Sequence, residues 1–173
     1  GGKWSFDSEN RDSFEKKYEE EKIKIYENKF TQESKKYILK HFSKNIGETD
    51  VYLPIDFKSS KKIFKKFIRY KLKNYGKYQD AVRSDVLFGY HSVLSPMINI
   101  GLLQPEYIIK NVIKAMNKYN IPISSVEGYL RQLLSWREYV RMLYVLKYND
   151  FIKNNFFNHK RKISKEWYNA TTQ

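Results

Sequence analysis

Ser124-Ser125-Val126-Glu127-Gly128-Tyr129-Leu130-Arg131-Gln132-Leu133-Leu134-Ser135-Trp136-Arg137-Glu138-Tyr139-Val140 is the stretch whose periodicity decides the fold class. Ser124 and Glu127 form a capping-box pattern, in which each side chain satisfies the other's backbone donor and starts a helix expected to run to about Lys147. At 100° per residue, Tyr129, Leu133, Trp136, Val140, Leu143 and Tyr144 share one broad apolar arc. Glu127 and Arg131 fall on the opposite side as an i,i+4 surface pair. Two polar residues break the arc. Gln132 lies one turn before Trp136, and Arg137 falls beside Leu130, Leu133 and Tyr144. Burying an unpaired amide costs about 1–3 kcal/mol and a lone cation more, so these two either reach solvent or face a polar ligand.

Working outward, Gln104-Pro105 opens a second helix, since proline at the first helical position gives up no needed donor; it should end near Tyr119, before Pro122. A third helix is expected over 58–73, where Ile63, Phe64, Phe67, Ile68 and Leu72 form an apolar stripe beside Lys61, Lys62, Lys65 and Lys66. A fourth is expected near 31–43 with Thr31 as N-cap and Tyr37, Ile38 and Phe42 as its apolar stripe. Between these last two, 47–56 reads as an extended, docked loop around Pro54. Residues 1–11 read as an extended arm, and 12–30 as a charged solvated helix or linker. Nothing alternates long enough to build a sheet. The expected class is all-α, organised as an arm and charged linker over 1–30 and a helical domain over 31–173.

The 173 residues suit one domain with a core, and 41% hydrophobic with 17% aromatic content excludes a disordered tail protein. Cysteine is absent, which excludes a disulfide framework, a thiolate nucleophile and an iron–sulfur cluster held by this chain. No apolar run approaches the roughly 20 residues that span a bilayer, and an intracellular, soluble protein is expected. The net charge of +14 is uneven: residues 1–30 hold eight acids and seven bases, so the remainder carries all of the excess. A basic body attracts nucleic acid or an anionic surface, and the lysine-rich amphipathic 58–73 helix would suit either. The same charge also follows from a composition rich in residues with A/T-rich codons.

Nucleotide-loop, serine-hydrolase and zinc-protease motifs are all missing, and His41, His91 and His159 are scattered. His91-Ser92-Val93-Leu94-Ser95-Pro96 places hydroxyls at a helix start, a pattern that can cradle phosphate and is also common without a ligand.

Taken in order, Tyr78-Gln79-Asp80-Ala81-Val82, His91-Ser92-Val93-Leu94-Ser95-Pro96, Asn99-Ile100-Gly101-Leu102-Leu103, Val126 to Gln132, and Trp136-Arg137-Glu138-Tyr139 carry a specific likeness. With Gly1 to Asp7 and Asn10-Arg11, the chain resembles the photolyase–cryptochrome superfamily, in its photolyase-related, iron–sulfur bacterial branch. The resemblance implies the first part of a helical FAD-binding domain that acts on DNA. In that superfamily the hydroxyl-rich stretch holds the FAD phosphates, which transfers to Ser92, Leu94 and Ser95, with His91 in place of the usual leading hydroxyl. The Trp-Arg-Glu stretch lies at the DNA-lesion pocket, which transfers to Trp136 and Arg137, with Gln132 and Arg141 as further DNA contacts. The family's α/β antenna domain, paired histidines, electron-relay aromatics and cluster cysteines have no counterpart here. The resemblance therefore implies a truncated or split photolyase-related protein, working in pyrimidine-dimer repair only with a companion polypeptide that completes the FAD cavity. The alternative is a noncatalytic basic helical remnant that binds nucleic acid or has no function.

Overall fold

The computed structural model describes residues 2, 4–22 and 24–172, and among them there are helices and no strands. The chain divides into two units, Gly1–Lys24 with Tyr52–Arg137, and Ile25–Val51 with Glu138–Gln173.

The first unit is built on the stripe expected over 58–73. Helix α2 (Phe57–Tyr70) starts at Asp56, whose carboxylate accepts from Ser59 N at 2.8 Å. Its Phe64, Phe67 and Ile68 are buried, while Lys58, Lys61, Lys62 and Lys65 stay exposed. The helix breaks at Lys71, and a further turn, α3 (Leu72–Tyr75), buries Leu72 and Tyr75. After the single turn α4 (Ser95–Asn99), α5 (Pro105–Lys118) starts at Gln104 as expected and contributes Ile108, Val112 and Ala115 to the same core. Helix α6 (Ile123–Leu130) adds Val126 and Tyr129.

The junction of α3 and α6 overturns the capping box expected at Ser124. Pro122 is the N-cap, and no side chain caps the helix. Ser125 instead accepts from Gly76 N at 2.9 Å and donates to Lys73 O at 3.0 Å. A buried hydroxyl that satisfies one donor and one acceptor of another element serves packing better than it could serve its own helix. Glu127 likewise leaves Ser124 and accepts from Phe6 N at 2.7 Å.

The long helix expected from Ser124 to Lys147 is interrupted. Arg131–Ser135 forms a π turn, in which Trp136 N donates to Arg131 O, before α7 (Trp136–Lys153) begins. One extra residue in a turn rotates everything after it about the axis. The apolar arc therefore does not continue as one buried face: Tyr129 and Leu133 are buried, while Trp136, Val140 and Tyr144 are exposed.

The charged segment after residue 11 is neither helix nor free linker. Phe14 stacks on Tyr18, Tyr78 and Tyr90 at centroid distances of 5.1, 5.8 and 6.2 Å. Tyr78 donates its hydroxyl to Glu15 at 2.8 Å, Arg83 donates to the carbonyls of Glu15 and Tyr18, and Asp12 N donates to Lys77 O at 3.0 Å. The Glu20 carboxylate accepts from the backbone N–H groups of Leu87, Phe88 and Gly89. Side chains that read as solvated charges are committed to backbone donors of a distant loop.

In the second unit, α1 (Lys29–His41) begins two residues before the expected 31–43 span. Asn28, not Thr31, is its N-cap, accepting from Phe30 N and Thr31 N, while Thr31 Oγ1 accepts from Asn28 N at 2.9 Å. This is a reciprocal capping box with Thr31 in the third helical position. Tyr26 N donates to Val51 O at 2.7 Å, and Lys35 pairs with Asp50 at 2.8 Å. The unit also holds α7 from Glu138 onward and the short α8 (Lys165–Asn169). No residue of α7 is buried, although Val140, Tyr144, Val145, Leu146, Phe151 and Ile152 lie on it. No helix among the described residues is long and apolar enough to cross a membrane.

Candidate functional site

Within the first unit, the end of α3, the stretch leading into α4, the end of α6 and the π turn surround an open cleft of ≈ 480 Å³. Of the residues expected to hold phosphates, His91, Ser92, Leu94 and Ser95 all line it. Of those expected to contact DNA, Gln132 and Arg137 line it and Trp136 does not. Trp136 is 56% exposed on α7. Arg141 lies on α7 in the second unit and pairs with Glu138 at 3.3 Å.

Position in the chain explains these placements. Val93 has φ 53°, a left-handed conformation that is costly for a β-branched side chain. The kink turns consecutive residues to different sides: Leu94, 1% exposed, enters the core, while Ser92 and Ser95 stand at the rim. The π turn brings Gln132 to the cleft, and Arg137 follows one turn later, donating to Asn99 Oδ1 at 3.3 Å.

Tyr75, Gln79, Asp80 and Tyr129 complete the polar lining, and none was singled out as a site residue from sequence. Gln79 and Asp80 belong to a motif quoted above without a role, Tyr129 reads as part of the apolar arc, and Tyr75 lies beyond the helix expected over 58–73. Tyr129 donates to Ser92 Oγ at 3.4 Å. Tyr75 meets His91 and Tyr129 edge-on, at centroid distances of 5.6 and 5.4 Å. His91 Nε2 lies 3.1 Å from Gln79 O; a carbonyl only accepts, so this nitrogen carries a proton.

Burial pushes the Tyr129 phenol up to about 12, against a smaller opposing effect of its hydrogen bond with Ser92. The Tyr75 phenol is also raised, by burial first and then by Tyr129 and Asp80. Both therefore stay neutral hydrogen-bonding groups at physiological pH. Ultraviolet difference titration of the wild type against Tyr129→Phe is expected to show the lost ionisation near pH 12, not at the ordinary value of 10.0. Ionisation at the ordinary value would mean that solvent reaches the ring. The sign follows from linkage: the folded chain holds this proton more tightly than the unfolded one, so stability falls as pH rises between those two values.

The lining thus offers a guanidinium, two serine hydroxyls and two carboxamides beside Tyr75, Tyr129, Ile98 and Leu133, the His91 Nε2–H being given to Gln79 O. Such a donor set suits a phosphate-bearing ligand with a flat apolar part. Asp80 is the carboxylate of the lining, able to accept from hydroxyl or amino groups. Among the described residues no group of three His, Cys, Asp or Glu side chains is placed to hold a metal ion.

Comparison with known proteins gives the family. The family described as deoxyribodipyrimidine photo-lyase-related protein matches residues 1–52. Uncharacterized protein R853 of Acanthamoeba polyphaga mimivirus is 46% identical over 96 residues, which cover 55% of this chain and 73% of that protein. A (6-4) photolyase of Agrobacterium fabrum is 32% identical over 165 residues, covering 94% of this chain and 32% of the photolyase. The chain therefore spans about a third of the length of that enzyme. With a family match over the arm, and an ordered likeness that runs on through the cleft, the chain belongs to the deoxyribodipyrimidine photolyase-related family.

Proposed function

We propose that the cleft is one wall of a photolyase-type site, which binds the phosphate-bearing part of FAD and faces a DNA lesion. The observation that carries this reading is the convergence of His91, Ser92, Leu94, Ser95, Gln132 and Arg137, far apart in sequence, on a single cleft. Ser92 and Ser95 would donate to phosphate oxygens, and Arg137 would neutralise their charge. His91, its Nε2–H given to Gln79 O, would present Nδ1 as an acceptor at the rim, and Leu94 anchors the kinked stretch in the core. Reduced flavin, when bound, supplies the light-excited electron for reversal of a pyrimidine dimer. This chain's contribution is to bind and orient.

An open cleft does not exclude water by itself. The remaining wall would come from a companion polypeptide. The exposed Lys58, Lys61, Lys62 and Lys65 of α2 would add salt-sensitive attraction to the DNA backbone. They also favour a second reading, a noncatalytic basic helical protein that binds nucleic acid without flavin.

Absorption spectroscopy separates the two. The chain is purified alone and assembled with the rest of a photolyase flavin domain, taken from the Agrobacterium fabrum relative. Flavin bands that appear on assembly, with light-dependent loss of dimers in irradiated DNA, are the expected result. An assembled sample that binds DNA and takes up no flavin leaves the second reading standing.

A further inference from the structure

The stretch that carries His91 and Ser92 into the cleft is anchored on both sides. On one side Leu94 is seated in the core. On the other, the Glu20 carboxylate accepts from three consecutive backbone donors, through Oε1 from Phe88 N at 2.8 Å and Gly89 N at 2.7 Å, and through Oε2 from Leu87 N. Consecutive N–H groups aimed at one anion form a nest, and here the chain fills the nest with its own side chain. Lys71 Nζ donates to the carbonyl of the same Gly89 at 2.7 Å. Gly89, at φ 53°, lies close against the N-terminal segment: a Cβ added there would come 2.6 Å from Cζ of Phe14.

This hold passes directly to the cleft. His91 N donates to Phe88 O at 3.0 Å, so Glu20 and His91 are bonded to the same residue from its two ends. Tyr90, next to His91, meets the Tyr18 ring at 5.1 Å and stacks on Tyr78 at 5.1 Å. Between the two anchors, Val93 takes a conformation that a β-branched residue keeps only where its surroundings enforce it. Water could satisfy the donors of the nest, but it would not tie the loop to the N-terminal segment. We propose that Glu20 is a positioning residue for the cleft: by filling the nest at 87–89 it fixes how His91 and Ser92 enter the rim. The proposal rests on the reading of this cleft as the ligand site, but the placement of His91 can be read without a ligand.

The test is NMR of the full chain. Glu20→Ala empties the nest, and Glu20→Gln keeps the size and one acceptor oxygen. Glu21→Gln is the control, removing the same charge one residue on, from a carboxylate that pairs with Lys66 at 2.7 Å. In the wild type the His91 ring protons are expected to show the ring-current shift of the Tyr75 ring, which lies edge-on at 5.6 Å. Glu20→Ala should lose most of that shift. It should also raise exchange of the Phe88, Gly89 and His91 amide protons about ten- to a hundredfold, the factor given by loss of charge-assisted bonds. Glu20→Gln should fall between, and Glu21→Gln should match the wild type; should Glu20→Ala fail to fold, Glu20→Gln decides alone. A merely structural Glu20 lowers stability to urea and leaves the His91 ring shift unchanged. That result, or an equal change in Glu21→Gln, overturns the proposal. FAD titration of the assembled protein tests the flavin reading separately. A wild type that takes up FAD should lose about tenfold in affinity on Glu20→Ala, and an unchanged affinity overturns the role. No uptake by the wild type, with His91 still following Glu20, refutes the flavin and leaves the positioning role intact.

Discussion

Gly76→Ala is expected to destabilise the first unit by about 3–5 kcal/mol, at the upper end of what one added methyl does. Gly76 has φ −57°, an ordinary helical conformation, so alanine meets no backbone strain there. The obstacle is space. A Cβ at this position would lie 2.7 Å from both Cα and N of Ser125 and 2.9 Å from C of Ser124. These are backbone atoms of α6 and cannot swing aside as a side-chain tip would. Separating the elements would also break the bond from Gly76 N to Ser125 Oγ, leaving a buried donor unpaired. Urea unfolding of the full chain measures the loss, and Gly2→Ala, with nothing within 4 Å of its added carbon, is the control expected to stay near wild type. A Gly76→Ala protein as stable as the control would show that α3 and α6 do not meet this closely.

Arg137→Met is expected to weaken FAD binding by the assembled protein roughly ten- to a hundredfold, as loss of a charge-assisted bond worth about 1.5–3 kcal/mol requires. Methionine keeps much of the apolar stem, so the change isolates the guanidinium. Arg137 sits on the cleft wall, and its hydrogen bond goes to the neutral Asn99 side chain, not to a carboxylate. Its charge is therefore available to an anion. The affinity should also lose part of its salt dependence, which flavin fluorescence quenching at two ionic strengths would show. Lys65→Met, on the exposed face of α2, is the comparison and should leave FAD affinity unchanged while lowering DNA affinity evenly across sequences. Equal effects of the two substitutions on FAD would remove Arg137 from the site.

The candidate site was legible in part, and the pattern has a physical basis. Ser92 and Ser95 stood out because hydroxyls at a helix start are conspicuous in a run of six residues, and His91 came with them through the family resemblance. Gln132 and Arg137 stood out because polar side chains interrupted an apolar arc. Tyr129 did not, because a tyrosine on an apolar helical arc reads as core, and Tyr75 did not because it lies beyond the helix expected over 58–73; both are in the core, and they line the cleft as well. Gln79 was hidden for a different reason. Its importance comes from contact with His91, and no local pattern of one residue type reports a contact of that range. Trp136 was expected beside Arg137 in the pocket, but the π turn directs it elsewhere.

The sequence by itself determined the helical class, the start of α5 at Gln104-Pro105 and the buried stripe of α2. Each depends on side-chain periodicity or on backbone donors within about one turn, interactions that close over three or four residues. Only the tertiary structure decided that the segment of residues 12–20 is docked through Phe14, Tyr18 and Glu20, that Ser125 joins α6 to α3 in place of a capping box at Ser124, and that the π turn divides the long helix. Those outcomes depend on partners 49 residues apart, for Gly76 and Ser125, or 121, for Phe6 and Glu127. A hydrogen-bonding group takes whichever partner removes it best from an unsatisfied state, and for these groups that partner exists only once the chain has folded.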